Sequence, residues 1–142
     1  MELSSLFGSA VSGALATVLA AALLALITWL AGPLRWFWHN RKIRVLVSGG
    51  RQFKLIFNPG TNASKKITFS PGGSVGNGND NENSWRIRRG KLEIIASDGR
   101  LYSRFWFDQK SGELRHTNDP DCRSIHGQYI QPLLIKVARQ AE

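Results

Sequence analysis

Cysteine is nearly missing: Cys122 is the sole one in the 142-residue chain. It can close no internal disulfide, and it lacks the Cys and His partners of a zinc site. His39, His116 and His126 are too scattered in sequence to form a metal motif. No P-loop, no Gly-x-Ser-x-Gly elbow and no paired zinc motif occurs. These absences lead away from an enzyme, and no cofactor is expected. A thiol nucleophile at Cys122, with His116 or His126 as base, is the one catalytic arrangement the residues formally allow. Asp119 and Asp121 flank Pro120 in TNDPDC, which reads as a turn with too few acidic oxygens for a calcium loop.

Charge is missing from the front of the chain. Between Leu3 and Leu34 there is no charged residue, and all 19 Lys and Arg lie at or after Arg35. As a helix, the apolar stretch Phe7–Ala31 reaches ~37 Å, against a hydrocarbon core of ~30 Å. A secretory signal peptide opens on Lys or Arg and has a shorter apolar run; this chain opens MELSS. Residues 1–34 therefore read as a single-pass transmembrane anchor. Gly32-Pro33 is expected to end the helix, because proline cannot continue its hydrogen-bond ladder. Residues 35–42 form a juxtamembrane segment in which Trp36, Phe37 and Trp38 suit the headgroup layer. Arg35, Arg41, Lys42 and Arg44 supply a positive-inside signal that places the following domain in the cytoplasm. Small residues recur every four positions at Ser9, Gly13, Thr17, Ala21 and Ala25, with a second row at Ser12, Ala16 and Ala20. Such rows favour helix self-association in lipid. With no charge inside the span, the residues point away from a pump or ion relay built from intramembrane charges.

Residues 43–142 show short apolar or alternating runs separated by turn residues. Expected strands are Ile43–Val47, Gln52–Phe57, Lys65–Phe69, Trp85–Arg89, Lys91–Ala96, Arg100–Asp108 and Glu113–Thr117. The tail from Ser124 offers one or two further strands or a short closing helix. The stretch Gly76–Asn83, rich in glycine and asparagine, is expected to be a loop at one barrel mouth. The expected fold is one N-terminal transmembrane α-helix followed by an all-β domain, a small antiparallel barrel or sandwich of seven or eight strands. Closure also removes exposed edges.

Binding chemistry concentrates in two strands. Alternation puts Tyr102, Arg104 and Trp106 on one face of the longest strand, and Leu101, Ser103, Phe105 and Phe107 on the core face. In Trp85–Arg89, Arg86 and Arg88 share the face opposite Trp85 and Ile87. Aromatic rings beside guanidinium groups can stack bases and hold phosphates. Asn81 and Asn83 bring donors and acceptors, and His116 and Asn118 close a later strand as an opposite rim. The candidate ligand site is therefore Arg86, Arg88, Arg104, Tyr102, Trp106, Asn81, Asn83, His116 and Asn118. A net charge of +9 suits nucleic acid in general, but a tethered small domain suits a compact anion better than a long polymer. Anionic headgroups account for Arg41, Lys42 and Arg44.

The order of parts, apolar Phe7–Ala31, basic RKIR and then the β run, resembles the small membrane effectors of bacterial antiphage immunity. Two groups share this architecture: the transmembrane β-barrel effectors of cyclic-oligonucleotide signalling, and the membrane effectors of type III CRISPR systems. The single span is closer to the second. The resemblance implies a protein of the bacterial inner membrane. Its cytoplasmic domain would bind a cyclic oligonucleotide as activating ligand, rearrange as a homo-oligomer and disrupt the bilayer. The alternative from another class is a tethered β-barrel module that binds lipid, glycan or a protein partner without signalling.

Overall fold

The computed structural model describes the backbone of residues 4–133, and side chains from Thr17 onward except Leu30. The side chains of Ser9, Ser12, Gly13 and Ala16, and the tail beyond Leu133 with its proposed closing element, lie outside the described residues. Helix α1 spans Ser4–Val47, and eight strands follow: β1 Gln52–Asn58, β2 Ala63–Phe69, β3 Val75–Gly76, β4 Ser84–Arg88, β5 Lys91–Ile95, β6 Leu101–Asp108, β7 Glu113–His116 and β8 Tyr129–Pro132. The chain divides into two compact units, Met1–Trp36 and Phe37–Glu142.

In the first unit, α1 is long and apolar enough to cross a membrane. Leu19, Leu23, Leu24, Ile27 and Trp29 are each more than half exposed. The expected stop at Gly32-Pro33 is not there: Pro33 sits inside the helix. Proline removes one intrahelical hydrogen bond at a cost of ~3 kcal/mol. Membrane-spanning helices tolerate that loss where neighbouring groups take up the freed backbone carbonyl. The far end of α1 is anchored by burial. Ile43 and Val47, one helical turn apart, are both 0% exposed, while Val45 is 65% exposed. The expected strand Ile43–Val47 is thus the last turn of α1. Its apolar residues serve a helical period rather than an alternating one. The helix closes with the Ser48 N–H donating to the Arg44 carbonyl at 2.8 Å, and Gly50 then takes a positive φ of 60°.

The strands form one antiparallel sheet in the order β3-β2-β1-β8-β7-β6-β5-β4. From β4 to β8 it is a simple meander, and β8 then pairs with β1, so the last described strand sits beside the first. The two edge strands nearly meet. A bridge joins Ser74 to Ser84, the Trp85 N–H donates to the Gly73 carbonyl at 2.7 Å, and the Val75 N–H donates to Asn83 at 3.1 Å. The sheet is therefore a nearly closed barrel, which leaves little unpaired edge.

The interior follows strand alternation. Phe53, Leu55, Ile67, Phe69, Leu92, Ile94, Phe105, Leu114 and Ile130 fill it, with Ile43 and Val47 entering from the helix. Phe53, Phe69 and Trp85 stack edge to face with centroids 5.2 and 5.7 Å apart. Trp85 shares the core side with Ile87, as alternation predicts, and its Nε1–H donates to the Ser70 carbonyl at 2.9 Å. The antiparallel order sets the two barrel ends. The helix enters where β1, β5 and β7 begin. At the opposite end the Asn-rich loop folds over the mouth, and Glu82, 3% exposed, receives Lys65 at 2.6 Å. Glycine is required in that loop, since a Cβ at Gly78 would strike the Glu82 carbonyl.

Candidate functional site

The outward faces of β6, β7 and β8 bring three side chains into one row. Trp106 is paired with Arg115, and Arg115 with Tyr129. Residues directly opposite on neighbouring strands have Cβ atoms about 5 Å apart, so the row is an aromatic, a guanidinium and an aromatic side by side. Trp106 is 43% exposed. Beside the row lies an open pocket of about 350 Å³, lined by Trp106, Arg115, His116, Thr117, Asn118, Gly127, Gln128 and Tyr129. Arg115 is held by two carboxylates, Glu113 at 2.9 Å and Asp108 at 3.3 Å. The pocket therefore offers aromatic faces and hydrogen-bonding groups with little net positive charge.

Its inner wall is a buried polar network. His116, 5% exposed, ends β7 on the core side and lies edge to face with Phe105 at 5.6 Å. Its Nε2 is 2.9 Å from Ser124 Oγ. Its Nδ1 accepts the Asn118 backbone N–H at 3.0 Å and lies 2.8 Å from Asn118 Oδ1, which accepts the Gly127 N–H at 2.8 Å. Burial lowers the His116 pKa and keeps the ring neutral. Gln128, 1% exposed, accepts from Ser103 Oγ at 3.1 Å and donates to the Phe57 carbonyl at 2.9 Å. The network fixes the loop that forms the pocket rim. Ser124 is buried and is not among the lining residues, so the Ser124–His116 pair holds the rim and does not face the pocket.

The other expected binding residues are placed elsewhere. Arg104 is the centre of an ion cluster: Nε reaches Glu93 at 3.0 Å, Nη1 reaches Asp119 at 2.7 Å and Nη2 reaches Asp121 at 2.9 Å. Arg86 holds the other oxygen of Glu93 at 2.6 Å, and Glu93 is 2% exposed. Burial works to lower the Arg104 pKa, but the hydrogen bonds to Asp119, Asp121 and Glu93 outweigh it and the pKa rises. In return, the Arg104 guanidinium holds Asp119 down at about 2. Tyr102 is half-buried, and its carbonyl accepts the N–H groups of Arg123 and Ser124, both at 3.0 Å. Arg88 is exposed at the end of β4, while Asn81 and Asn83 are exposed on the loop over the far mouth. Of the nine residues, Trp106, His116 and Asn118 share the pocket; Arg86 and Arg104 share the ion cluster; Tyr102, Arg88, Asn81 and Asn83 join neither.

Sequence reasoning missed Arg115, Gln128 and Tyr129. Alternation in ELRHT marks Arg115 as outward-facing, but only the register shows that Trp106 and Tyr129 flank it. Burial raises the Cys122 thiol, and Asp121 raises it further, so a reactive thiolate is disfavoured. Among the described residues no cluster of His, Cys, Asp and Glu is arranged to hold a metal ion. No family model, curated protein or solved structure matches the chain.

Proposed function

We propose that the protein is a membrane-tethered binding module whose ligand docks at the Trp106–Arg115–Tyr129 row, and that the ligand is a nucleotide-type molecule with a stackable ring. The observation that carries this reading is the row itself, opening onto a polar pocket fixed by His116, Asn118 and Gln128. Every base has a π-face, and stacking on an aromatic side chain is worth ~1–3 kcal/mol per base. A volume of about 350 Å³ lies at the small end of ligand pockets, which run from ~300 to 1,000 Å³. It suits one nucleotide unit, so a cyclic oligonucleotide would be shared among several chains. In the antiphage-effector reading, that sharing assembles or reorients the barrels and repacks the anchors into a membrane-disrupting state. The ligand must bind the assembled state more tightly for this to happen. A long nucleic-acid partner fits less well, because Arg86, Arg104 and Arg115 are engaged by carboxylates.

The rival module for lipid, glycan or protein gains nothing from the barrel interior, which is filled by side chains. Binding rather than catalysis is supported by the raised thiol of Cys122 and by the position of Ser124 behind the pocket wall. Calorimetry of the full chain in nanodiscs against a panel of cyclic oligonucleotides tests the proposal. Binding should weaken roughly 5- to 150-fold in Trp106→Ala, the range that ~1–3 kcal/mol of stacking implies. Absence of binding across the panel at micromolar concentrations, or equal binding by Trp106→Ala, refutes it.

A further inference from the structure

We infer that the β4–β5 turn is a docking surface for anionic lipid headgroups, which holds the helix-entry end of the barrel against the membrane. The inference rests on the reading of α1 as a membrane anchor. Three independent observations carry it.

The first is position. The Gly90 N–H donates to Asn40 Oδ1 at 2.7 Å, and a Cβ at Gly90 would come within 3.0 Å of the His39 Cβ. Asn40 lies six residues beyond Leu34, where the uncharged run stops. Six residues span at most ~21 Å however they are arranged, so the turn stays within reach of the headgroup layer, which extends ~5–8 Å beyond the hydrocarbon on each side.

The second is charge. Arg88 and Arg89 are exposed and form no ion pair with any described residue. The connections at this end, 48–51, 70–74, 89–90 and 109–112, carry Arg51, Arg89 and Lys110 and no acid. Asp108 and Glu113, at strand ends nearby, are held by Arg115. The connections at the opposite end carry five acids (Asp80, Glu82, Asp98, Asp119 and Asp121) against Arg100 and Arg123, and all but Asp80 are ion-paired, so that end offers no cluster of free cations. Four of the barrel's unpaired cations, Arg51, Arg88, Arg89 and Lys110, thus gather at the end where the last turns of α1 pack, while Lys54 and Lys66 lie on the wall.

The third is strain. Four non-glycine residues among those described have positive φ, and three are asparagine; the fourth is Arg89, at 50°. With Gly90 at 73°, the turn has the two positive φ values of a type I′ hairpin, whose first central position favours Asn, Asp or Gly. An arginine held there against backbone preference points to a use for its side chain.

Each cation near an anionic surface is worth about 1 kcal/mol, a roughly fivefold change in the ratio of docked to undocked barrels. The test uses the full chain in a Cys122→Ala background, with a fluorophore at Ser111→Cys and acceptor dye on lipid headgroups. Vesicles are phosphatidylcholine alone or doped with phosphatidylglycerol. Energy transfer should rise with phosphatidylglycerol. It should fall at high salt, where the screening length shrinks from ~10 Å at 0.1 M to ~3 Å at 1 M. A label at Ser97→Cys, on the opposite end, should show neither change. Arg88→Glu with Arg89→Glu should sharply reduce the lipid dependence, leaving only the share due to Arg41, Lys42 and Arg44. Arg89→Gly, which the positive φ favours, should weaken docking roughly fivefold while leaving the barrel at least as stable. Equal transfer on both vesicle types, or lipid dependence unchanged by the charge reversal, overturns the inference and leaves the anchor reading intact. A chain that floats with neither vesicle overturns both.

Discussion

Residues 43–47 provide the sharpest test of how the helix is joined to the barrel. A strand would put Ile43, Val45 and Val47 on one face; the helix puts Ile43 and Val47 inside, both at 0% exposure, and leaves Val45 at 65%. Truncating Ile43 to alanine removes a fully buried side chain from the core cluster, and such changes cost ~2–5 kcal/mol. Val47→Ala removes less, and fully burying a valine is worth about 1.5–3 kcal/mol. Val45→Ala removes nothing from the core, and alanine has the higher helix propensity, so its effect should stay within ±0.5 kcal/mol. The assay is urea unfolding of the full chain in micelles, followed by tryptophan fluorescence, with the midpoint read at constant slope. Ile43→Ala and Val47→Ala should lower the midpoint clearly, and Val45→Ala should not. A Val45→Ala loss equal to that of Ile43→Ala would show that the segment alternates as a strand, and the continuous helix through Pro33 would be wrong.

Arg104→Ala should be among the most damaging polar substitutions, because it strips one partner from Glu93 and both close contacts from Asp119 and Asp121. Breaking a buried pair costs ~3–5 kcal/mol, so a melting temperature within a degree or two of the parent would contradict the hub. The pH dependence should show two windows. The folded His116 pKa is lowered from 6.5, so as pH falls below that value the unfolded chain takes up a proton the folded ring resists, and stability drops; His116→Gln should flatten this step. Asp119 is lowered from 3.8 to about 2, so its stabilising share is present above pH 3.8 and is lost as pH falls towards 2; Asp119→Asn should remove that second step, leaving the first. Both are read from denaturation midpoints across pH.

Much of the fold was legible because its signals are local. The uncharged run, the turn residues SDG and QKSG, and the alternation in RLYSRFWFD each act within a few residues. They placed the long apolar helix, the hairpins and the inward Phe105 correctly. The two errors at Gly32-Pro33 and Ile43–Val47 have one cause. Whether a proline ends a helix depends on what rewards its continuation, and here the reward is burial of Ile43 and Val47 against strands from Gln52 onward. No window around Pro33 contains that information. The site was partly legible for the same reason. Trp106, His116 and Asn118 were identifiable by type, but Tyr129 joins them only through the pairing of β8 with β7 and β1.

The arginines show how far composition can mislead about a basic protein. Convergence of Arg86 and Arg104 with aromatics on neighbouring strands looks like an anion site when the acids are out of view. Once the chain folds, Glu93 lies between them and the 117–128 loop brings Asp119 and Asp121 onto Arg104. An exposed arginine and one with a coordinated carboxylate contribute the same unit to net charge, but only the first attracts a ligand over a Debye length. After the internal pairs are removed, the remaining positive charge of the barrel divides between two places. Arg51, Arg88, Arg89 and Lys110 lie at the end where α1 packs, and Lys54 and Lys66 lie opposite each other on the wall, while the pocket beside Trp106 and Arg115 is close to neutral. A nucleotide at the pocket and a lipid headgroup at the turn therefore need not compete, because different chemistry would hold each of them.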